Sequence, residues 1–274
     1  MDKIEKVIGQ EIVIKEIEKI FRIFTASEGE IRPHFTVVGE SGSGKTWTIK
    51  TICESMDIPF IEVNAAQITK EGMAGNSLSK VLAPLANHAG RPVVCFVDEF
   101  DKLFLSGNGS QAANDVTVGV QNEFLKVLES EKTQVFGDYG KYNTVTVSNV
   151  LFVFAGAFNN RANIDLDTLR EFGVKTEFLG RVGLIYNMKK LSIEDLKTIL
   201  ENSPLLEKYA QLSKKNVDKK KVIKEISAKL EEIYENNTLG ARVINTLIHK
   251  YFITGKLETE GVKEITFTKK LELI

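Results

Sequence analysis

The sequence is poor in the residues that build disulfide scaffolds and zinc centres, and it lacks the long apolar run of a membrane span. It contains two cysteines, three histidines and five prolines among 274 residues. Cys53 and Cys95 lie far apart in apolar segments, which favours buried, reduced thiols and excludes a disulfide framework or a zinc constellation. No apolar run approaches the roughly 20 residues that span a bilayer, and the charged N-terminus does not resemble a signal peptide. We therefore expect a cytoplasmic protein without membrane attachment.

The chain also lacks a net charge of either sign. Its 36 lysines and arginines balance 37 aspartates and glutamates, for a formal net charge of −1. Such a chain has no general electrostatic attraction to nucleic acid or to a membrane surface, although a local basic patch is compatible with this average. The length allows one large domain, or a medium and a small one, with ample core.

The most informative segment is the run Gly39-Glu-Ser-Gly-Ser-Gly-Lys-Thr46. It fits the pattern G-x-x-x-x-G-K-S/T, it follows the apolar stretch 35–38, and it precedes a helix-compatible segment at 47–56. Glycines let successive N–H groups point into one concavity, and the helix N-terminus adds positive potential. Lys45 then reaches the outer phosphates, and the Thr46 hydroxyl is suited to Mg²⁺. The predicted phosphate-binding residues are Gly39, Glu40, Ser41, Gly42, Ser43, Gly44, Lys45, Thr46 and the adjacent Trp47.

Buried apolar runs alternate with helical patterns along the first two thirds of the chain. This alternation predicts a mostly parallel α/β sheet with helices on both faces. The predicted strands are 35–38, 60–63, 93–97, 150–154 and 184–188, a hairpin is expected at 133–147, and helices are expected within 4–24 and at 47–56, 78–86 and 116–128.

The sequence changes character near residue 190. A capping-box pattern from Ser192 to Asp195 opens a helix, and Leu/Ile/Lys/Glu-rich helical spacing continues to about Phe252. We therefore predict a large nucleotide-binding domain at 1–190 and a small helical domain at 191–274 that ends in a strand at 264–273. The Lys-rich segment 214–224 is interpreted as a solvated loop and helix face.

Two carboxylates follow the buried run 93–97. Asp98 and Glu99 are thereby placed at the C-terminal edge of the sheet, where ligands bind in open α/β folds. Asp98 suits the Mg²⁺ shell, and Glu99 is placed to polarise the attacking water as a general base. Paired with the phosphate loop, they predict hydrolysis of the triphosphate as well as binding.

The run Phe96-Val-Asp-Glu-Phe-Asp-Lys102 resembles the Walker B signature of ClpX- and HslU-type AAA+ unfoldase ATPases. The resemblance extends from about residue 5 to about residue 260. Four other segments resemble motifs of this family in the same order, namely the adenine-contacting box at Val7–Gln10, the sensor-1 strand at Val150–Phe158, the arginine-finger segment at Glu177–Arg181 and the sensor-2 motif at Gly240–Arg242.

The resemblance implies an AAA+ P-loop NTPase with a five-stranded parallel sheet, a small helical domain, and ATP and Mg²⁺ as ligands. It implies that Val7 and Ile8 contact the adenine, and that Arg181 acts on the γ-phosphate of a neighbouring subunit in a self-assembled ring, expected to be a hexamer. Arg242 would contact the phosphates from the small domain. Asn159 occupies the position of a polar sensor-1 residue in many AAA+ proteins.

The resemblance also implies a pore loop at Gly72, Met73, Ala74 and Gly75. Met73 takes the place of an aromatic residue of the unfoldases, and a long apolar methionine retains the ability to grip a polypeptide by packing. No segment corresponds to a zinc-binding N-terminal module, and the interval between Phe158 and Glu177 has no room for a peptidase-docking insertion. The sequence therefore does not support docking to a Clp-type peptidase.

These features favour an oligomeric ATPase that remodels, unfolds or translocates a protein substrate. Two alternatives remain open from the sequence. One is a nucleic-acid-directed AAA+ ATPase, such as a helicase loader or a replication or packaging factor. The other is an ATP-gated assembly switch that hydrolyses slowly.

Overall fold

The chain folds into two compact units. The computed structural model describes residues 7–68, 76–88, 90–104, 111–213 and 217–254, and in residues 111–117 it describes the backbone alone. The first unit comprises Met1–Glu40 and Gly44–Met188, and the second comprises Ser41–Ser43 and Lys189–Ile274.

The first unit is built on a five-stranded sheet in the spatial order β2-β3-β6-β1-β7. All its strand pairs are parallel, so the carboxyl ends of the five strands lie at one edge. In chain order the strands are β1 (Phe35–Val38), β2 (Phe60–Asn64), β3 (Val93–Asp98), β4 (Lys132–Phe136), β5 (Tyr142–Thr146), β6 (Val150–Gly156) and β7 (Leu184–Asn187). The remaining pair, β4 and β5, forms the predicted antiparallel hairpin.

The central strands are buried on both faces, because their continuous apolar runs place a hydrophobic side chain on each side of the sheet. On one face Cys95 belongs to a core with Phe124 and Phe178. On the other face Phe96 belongs to a second core with Ile17. The predicted α/β class, with helices on both faces of a parallel sheet, is confirmed.

The helices of the first unit supply the outer layers of these two cores. They are α1 (Glu11–Ala26), α2 (Lys45–Ser55), α3 (Leu78–Val81), α4 (Gln111–Glu129), α5 (Leu166–Glu171) and α6 (Thr176–Val182). The prediction of one helix over 78–86 is wrong, since α3 ends at Val81 and a 3₁₀ turn covers Ala83–His88. Pro84 explains the break, because it lacks an N–H and disfavours the α conformation of Ala83.

The second unit is helical over its described residues. Its helices are α7 (Ile193–Glu201), α8 (Pro204–Leu212), α9 (Lys219–Ile233) and α10 (Arg242–His249). The predicted capping box is present, because Ser192 and Asp195 exchange side-chain and backbone hydrogen bonds. Leu200, Ile226 and Leu247 are buried in a core of their own. The strand predicted at 264–273 lies outside the described residues.

Candidate active site

The phosphate loop joins β1 to α2 and needs left-handed backbone at two of its glycines. Gly42 and Gly44 have φ values of +74° and +95°, which a glycine adopts without steric cost. Gly44 directly precedes Lys45, the first residue of α2, so the loop ends at a helix N-terminus with its positive potential. The Gly39 N–H donates to the Gly156 carbonyl across 3.3 Å, which ties the start of the loop to the end of β6.

Lys45 lies folded over the loop that it belongs to. Its Nζ donates to the carbonyl oxygens of Gly39 at 2.6 Å and Glu40 at 3.0 Å. An ammonium held above a ring of backbone groups is suited to a phosphate oxygen. Ser43 adds a buried hydroxyl for which the described residues provide no hydrogen-bond partner. The loop therefore presents a cation and a polar group suited to a phosphate-bearing ligand.

Thr46 and Asp98 meet at the edge of the sheet. The Thr46 hydroxyl donates to Oδ2 of Asp98 across 3.3 Å, although the two residues lie 52 positions apart in the sequence. Asp98 is the last residue of β3. Hydroxyl and carboxylate oxygens are the ligands that Mg²⁺ prefers, so this pair fits the predicted metal position.

Two features position the Glu99 side chain. One is an unusual backbone conformation, and the other is a hydrogen-bond partner that the sequence analysis did not predict. Its φ of +54° is left-handed, which is uncommon for a residue with a side chain. Its N–H donates to Oδ1 of Asp98 at 2.8 Å. Its Oε2 accepts a hydrogen bond of 3.1 Å from Nδ2 of Asn64.

Asn64 is itself fixed by a second bond, because its Oδ1 accepts from the N–H of Ala66 at 2.9 Å. It ends β2, and the strand register places it directly beside Asp98. The sequence did carry a signal for Asn64. A polar residue that directly follows a predicted strand belongs at the same sheet edge as Asp98 and Glu99.

Asn159 follows the carboxyl end of β6, the strand that pairs with β3. Three consecutive residues there, Phe158, Asn159 and Asn160, have φ values of +45°, +56° and +56°. Phe158 is buried while Asn159 is exposed. The register therefore brings the predicted sensor residue to the same edge as Glu99, on a tight turn.

Arg181 lies in the last turn of α6 and forms an ion pair. Its Nη2 is 2.8 Å from Oε1 of Glu129, and both side chains are about half exposed. An ion pair between side chains this exposed contributes roughly 0 to 1 kcal/mol to the stability of the fold. The helix itself is firmly placed, because the Phe178 ring stacks on Phe100 with 5.1 Å between centroids. Arg181 therefore sits on a rigid helix with a side chain that changes partner at little cost.

In the second unit, Arg242 is the first residue of α10, and its Nη1 donates to the Ser41 hydroxyl across 3.1 Å. The Ala241 N–H donates to the Gly42 carbonyl at 3.0 Å. Gly240 permits this approach, since a Cβ there would lie 2.6 Å from the Gly42 oxygen. The predicted sensor-2 arginine thus contacts the phosphate-loop residues that belong to its own unit.

Three further predicted site residues differ in their burial. Val7 is buried and Ile8 is half-buried. Trp47, the chain's one tryptophan, is 57% exposed directly after Thr46. The predicted pore loop Gly72, Met73, Ala74 and Gly75 lies outside the described residues and stays a prediction.

A parallel sheet with a phosphate loop after its first strand, and carboxylates at the same sheet edge, defines a P-loop nucleoside triphosphatase. A family model described as "ATPase family associated with various cellular activities (AAA)" matches residues 35–178, which is more than half of the chain. The chain therefore belongs to the AAA family and is an ATP-binding ATPase. The predicted family and enzyme class are confirmed.

Known relatives place the chain in one part of this family. It is 25% identical to the ATP-dependent Clp protease ATP-binding subunit ClpX of Treponema denticola, over 86% of this chain and 68% of that protein. It is 27% identical to ClpX 2 of Wolinella succinogenes, with the same coverage of both chains. It is 26% identical to ClpX of Borrelia duttonii, over 89% of this chain and 68% of that protein. The protein is a ClpX-like AAA+ ATPase.

None of the helices in the described part of the chain has the combination of length and apolar character that a bilayer crossing requires.

Proposed function

We propose that this chain hydrolyses ATP at a site shared between neighbouring subunits of a ring and uses the energy to remodel a protein substrate. The observation that carries the catalytic part is the convergence of four residues at one sheet edge. Thr46 bonds to Asp98, Glu99 follows Asp98, and Asn64 bonds to Glu99. All four lie at the edge where the phosphate loop begins.

Each residue has a role in this proposal. Lys45 neutralises charge on the outer phosphates, and Glu99 accepts the proton of the attacking water as the general base. Asn159 orients groups at the γ-phosphate, and Arg242 contacts the phosphates from the second unit. Arg181 is supplied in trans and stabilises charge that develops on the γ-phosphate.

Thr46 and Asp98 are the residues that would hold Mg²⁺. Their oxygen donors and their mutual approach fit this ion. Mg²⁺ held there would supply positive charge against the phosphates of the nucleotide.

The proposal that the protein remodels a substrate rests on the similarity of its sequence to known proteins. The relatives are named as ATP-binding subunits of a Clp protease, and AAA chains that supply an arginine to a neighbour must assemble to be active. We propose a hexameric ring with a protein substrate, in which the loop containing Met73 grips the polypeptide.

The test of this function is to measure ATP turnover with an unfolded protein, with single-stranded DNA and with double-stranded DNA. We expect the unfolded protein to raise turnover and DNA to have no effect. Stimulation by DNA that weakens steeply with salt would instead support a nucleic-acid-directed ATPase. Slow turnover that no polymer changes would support an ATP-gated switch and contradict remodelling.

Replacement of the proposed base gives the sharpest test of the catalytic part. Glu99→Gln should lower kcat by roughly 10²- to 10⁴-fold, because the amide cannot accept the proton from water. Nucleotide affinity, read from the fluorescence of Trp47 beside the loop, should change little. Glu62→Gln is the matched control, since it removes an exposed carboxylate from β2, the strand that pairs with β3. Near-normal turnover of Glu99→Gln would remove Glu99 as the base.

A further inference from the structure

Asp101 is a buried carboxylate close to the site that the reaction scheme does not use. It lies two residues after Glu99 in a 3₁₀ turn, Phe100–Leu103, and is 1% exposed. Burial of a carboxylate is costly unless it is hydrogen-bonded. Its Oδ2 accepts the N–H of Phe158 at 3.1 Å and lies 3.8 Å from Nζ of Lys102, whose side chain is half exposed.

Asp101 accepts this hydrogen bond from Phe158, a residue with an unfavourable backbone conformation. Phe158 begins the run of three left-handed residues that includes Asn159. A bulky residue with positive φ is a genuine outlier, and such a conformation persists only where the surroundings determine it. The Phe158 side chain is fully buried and its ring lies 5.3 Å from that of Phe172.

Gly156 completes the support of this turn. A Cβ at Gly156 would lie 2.8 Å from Cε2 of Phe158 and 2.9 Å from Oδ1 of Asp101. Both distances are shorter than real Cβ contacts. Only a glycine at position 156 therefore allows the Asp101 carboxylate and the Phe158 ring to pack this closely against the end of β6. Asp101, Gly156 and Phe158 therefore form one interlocked contact, which we call the turn lock.

We propose that Asp101 is a positioning residue that fixes the turn bearing Asn159 relative to the turn bearing Glu99. This inference rests on the proposed function, in which both side chains act at the γ-phosphate. Asp101 follows β3 on the same short turn as Glu99, and it bonds to the residue directly before Asn159 on the neighbouring strand β6. One side chain thus joins the two segments. Its burial keeps it out of contact with the nucleotide.

The effect of such a residue is on geometry, and therefore on the chemical step. A displacement of about 1 Å between reacting groups can lower a rate by about 10²-fold. Loss of the Asp101 carboxylate should accordingly lower kcat and leave nucleotide binding intact, because its hydrogen bond goes to Phe158 and not to the phosphate loop.

The experiment compares Asp101→Leu with Asp101→Asn in the full chain. Leucine fills the space but offers no acceptor to the Phe158 N–H, whereas asparagine keeps an oxygen of the same reach. Asp101→Leu should lower kcat by roughly 10- to 100-fold, with the Kd for ATP from Trp47 fluorescence within about twofold of the wild type. Asp101→Asn should recover most of kcat. Gly156→Ala, which inserts a Cβ into the lock, should reproduce the loss even where Asp101→Leu fails to fold.

The matched control is His34→Leu. His34 is also buried and also accepts a backbone N–H of β6, that of Phe152, so its loss destabilises the same strand at a position away from the two turns. We expect a lowered Tm with kcat retained.

Three results would overturn the inference: wild-type kcat in Asp101→Leu, an Asp101→Asn variant no better than Asp101→Leu, or a His34→Leu variant that loses kcat equally. If Glu99→Gln turns over normally, the proposed function fails instead. If Glu99→Gln is inactive while Asp101→Leu is normal, only the role of Asp101 fails.

Discussion

The Asn64 side chain forms hydrogen bonds to two other residues at the sheet edge. Its oxygen accepts the Ala66 N–H, and its amide donates to Glu99. The first bond makes the amide rigid, so the second holds one oxygen of the Glu99 carboxylate in place. The other carboxylate oxygen remains available for a water molecule.

We therefore predict that Asn64→Ala lowers kcat by about 10-fold or more, because a hydrogen bond to a charged group is worth roughly 1.5 to 3 kcal/mol, and leaves the Kd for ATP unchanged. Asn64→Asp keeps the acceptor for Ala66 but sets a second carboxylate against Glu99, and it should be the slower variant. Steady-state ATPase assays with Trp47 fluorescence titrations measure both quantities. A wild-type rate in Asn64→Ala would show that the donor to Glu99 has no role, and equal rates for the two variants would show that the added carboxylate has no effect on Glu99.

His34 makes the stability of the fold depend on pH. It is 7% exposed, and its Nδ1 accepts the Phe152 N–H at 3.0 Å. Burial, with the charges of Arg32 and Arg181, lowers the pKa of His34 to about 3. The unfolded chain takes up this proton near pH 6.5, whereas the folded chain does not until about pH 3. The stabilisation is therefore complete above pH 6.5 and is lost as the pH falls through that window.

We predict that the free energy of unfolding of the wild type falls by roughly 2 kcal/mol more than that of His34→Gln between pH 7 and pH 5. Urea unfolding at the two pH values measures it. Parallel declines in the two proteins would mean that His34 is not the titrating group.

At the scale of elements, the strands were the most predictable feature and the polar contacts between them the least. Each predicted strand of the sheet appears within two residues of its observed ends. For the central strands β3 and β6 the reason is that an apolar run buried on both faces has few alternatives. Asn64 and Asp101 were not predicted. Their partners follow from strand register and from the path of a turn, which leave no periodic pattern in the sequence.

The helix that carries Arg181 is tied to the segment after Glu99 by aromatic packing. Phe100 and Phe178 are 2% and 0% exposed and stack at 5.1 Å. A double-mutant cycle with Phe100→Leu and Phe178→Leu should give a coupling free energy of about 0.5 to 1.5 kcal/mol. The half-buried Phe136, which pairs with Tyr142 on the hairpin, is the control, and its replacement by leucine should be additive with Phe178→Leu. Additivity of the Phe100 and Phe178 changes would contradict rigid coupling.

At the scale of the whole molecule, the proposed site needs two chains. Arg181→Ala subunits retain Glu99, and Glu99→Gln subunits retain Arg181, so each is expected to be inactive alone. A mixture should regain a fraction of wild-type turnover. Where an Arg181→Ala subunit supplies Glu99 and its Glu99→Gln neighbour supplies Arg181, the shared site has both an intact base and an intact arginine. Size-exclusion chromatography with ATP is the measurement that checks whether both variants assemble. Failure to regain activity at any mixing ratio, with assembly intact, would contradict the shared site.

The order of strands in the sheet has a consequence for synthesis. β1 pairs with β6 and β7, through Phe35 with Val153 and Leu184, and these partners are translated long after it. The strand that leads into the phosphate loop, of which three residues in four are apolar, therefore stays unpaired while most of the first unit leaves the ribosome. Contacts so distant in sequence close late and slowly, and exposed apolar strands invite aggregation in the interval. A nascent chain that stops before β6 would lack both neighbours of β1, so the nucleotide-binding core matures as one late event.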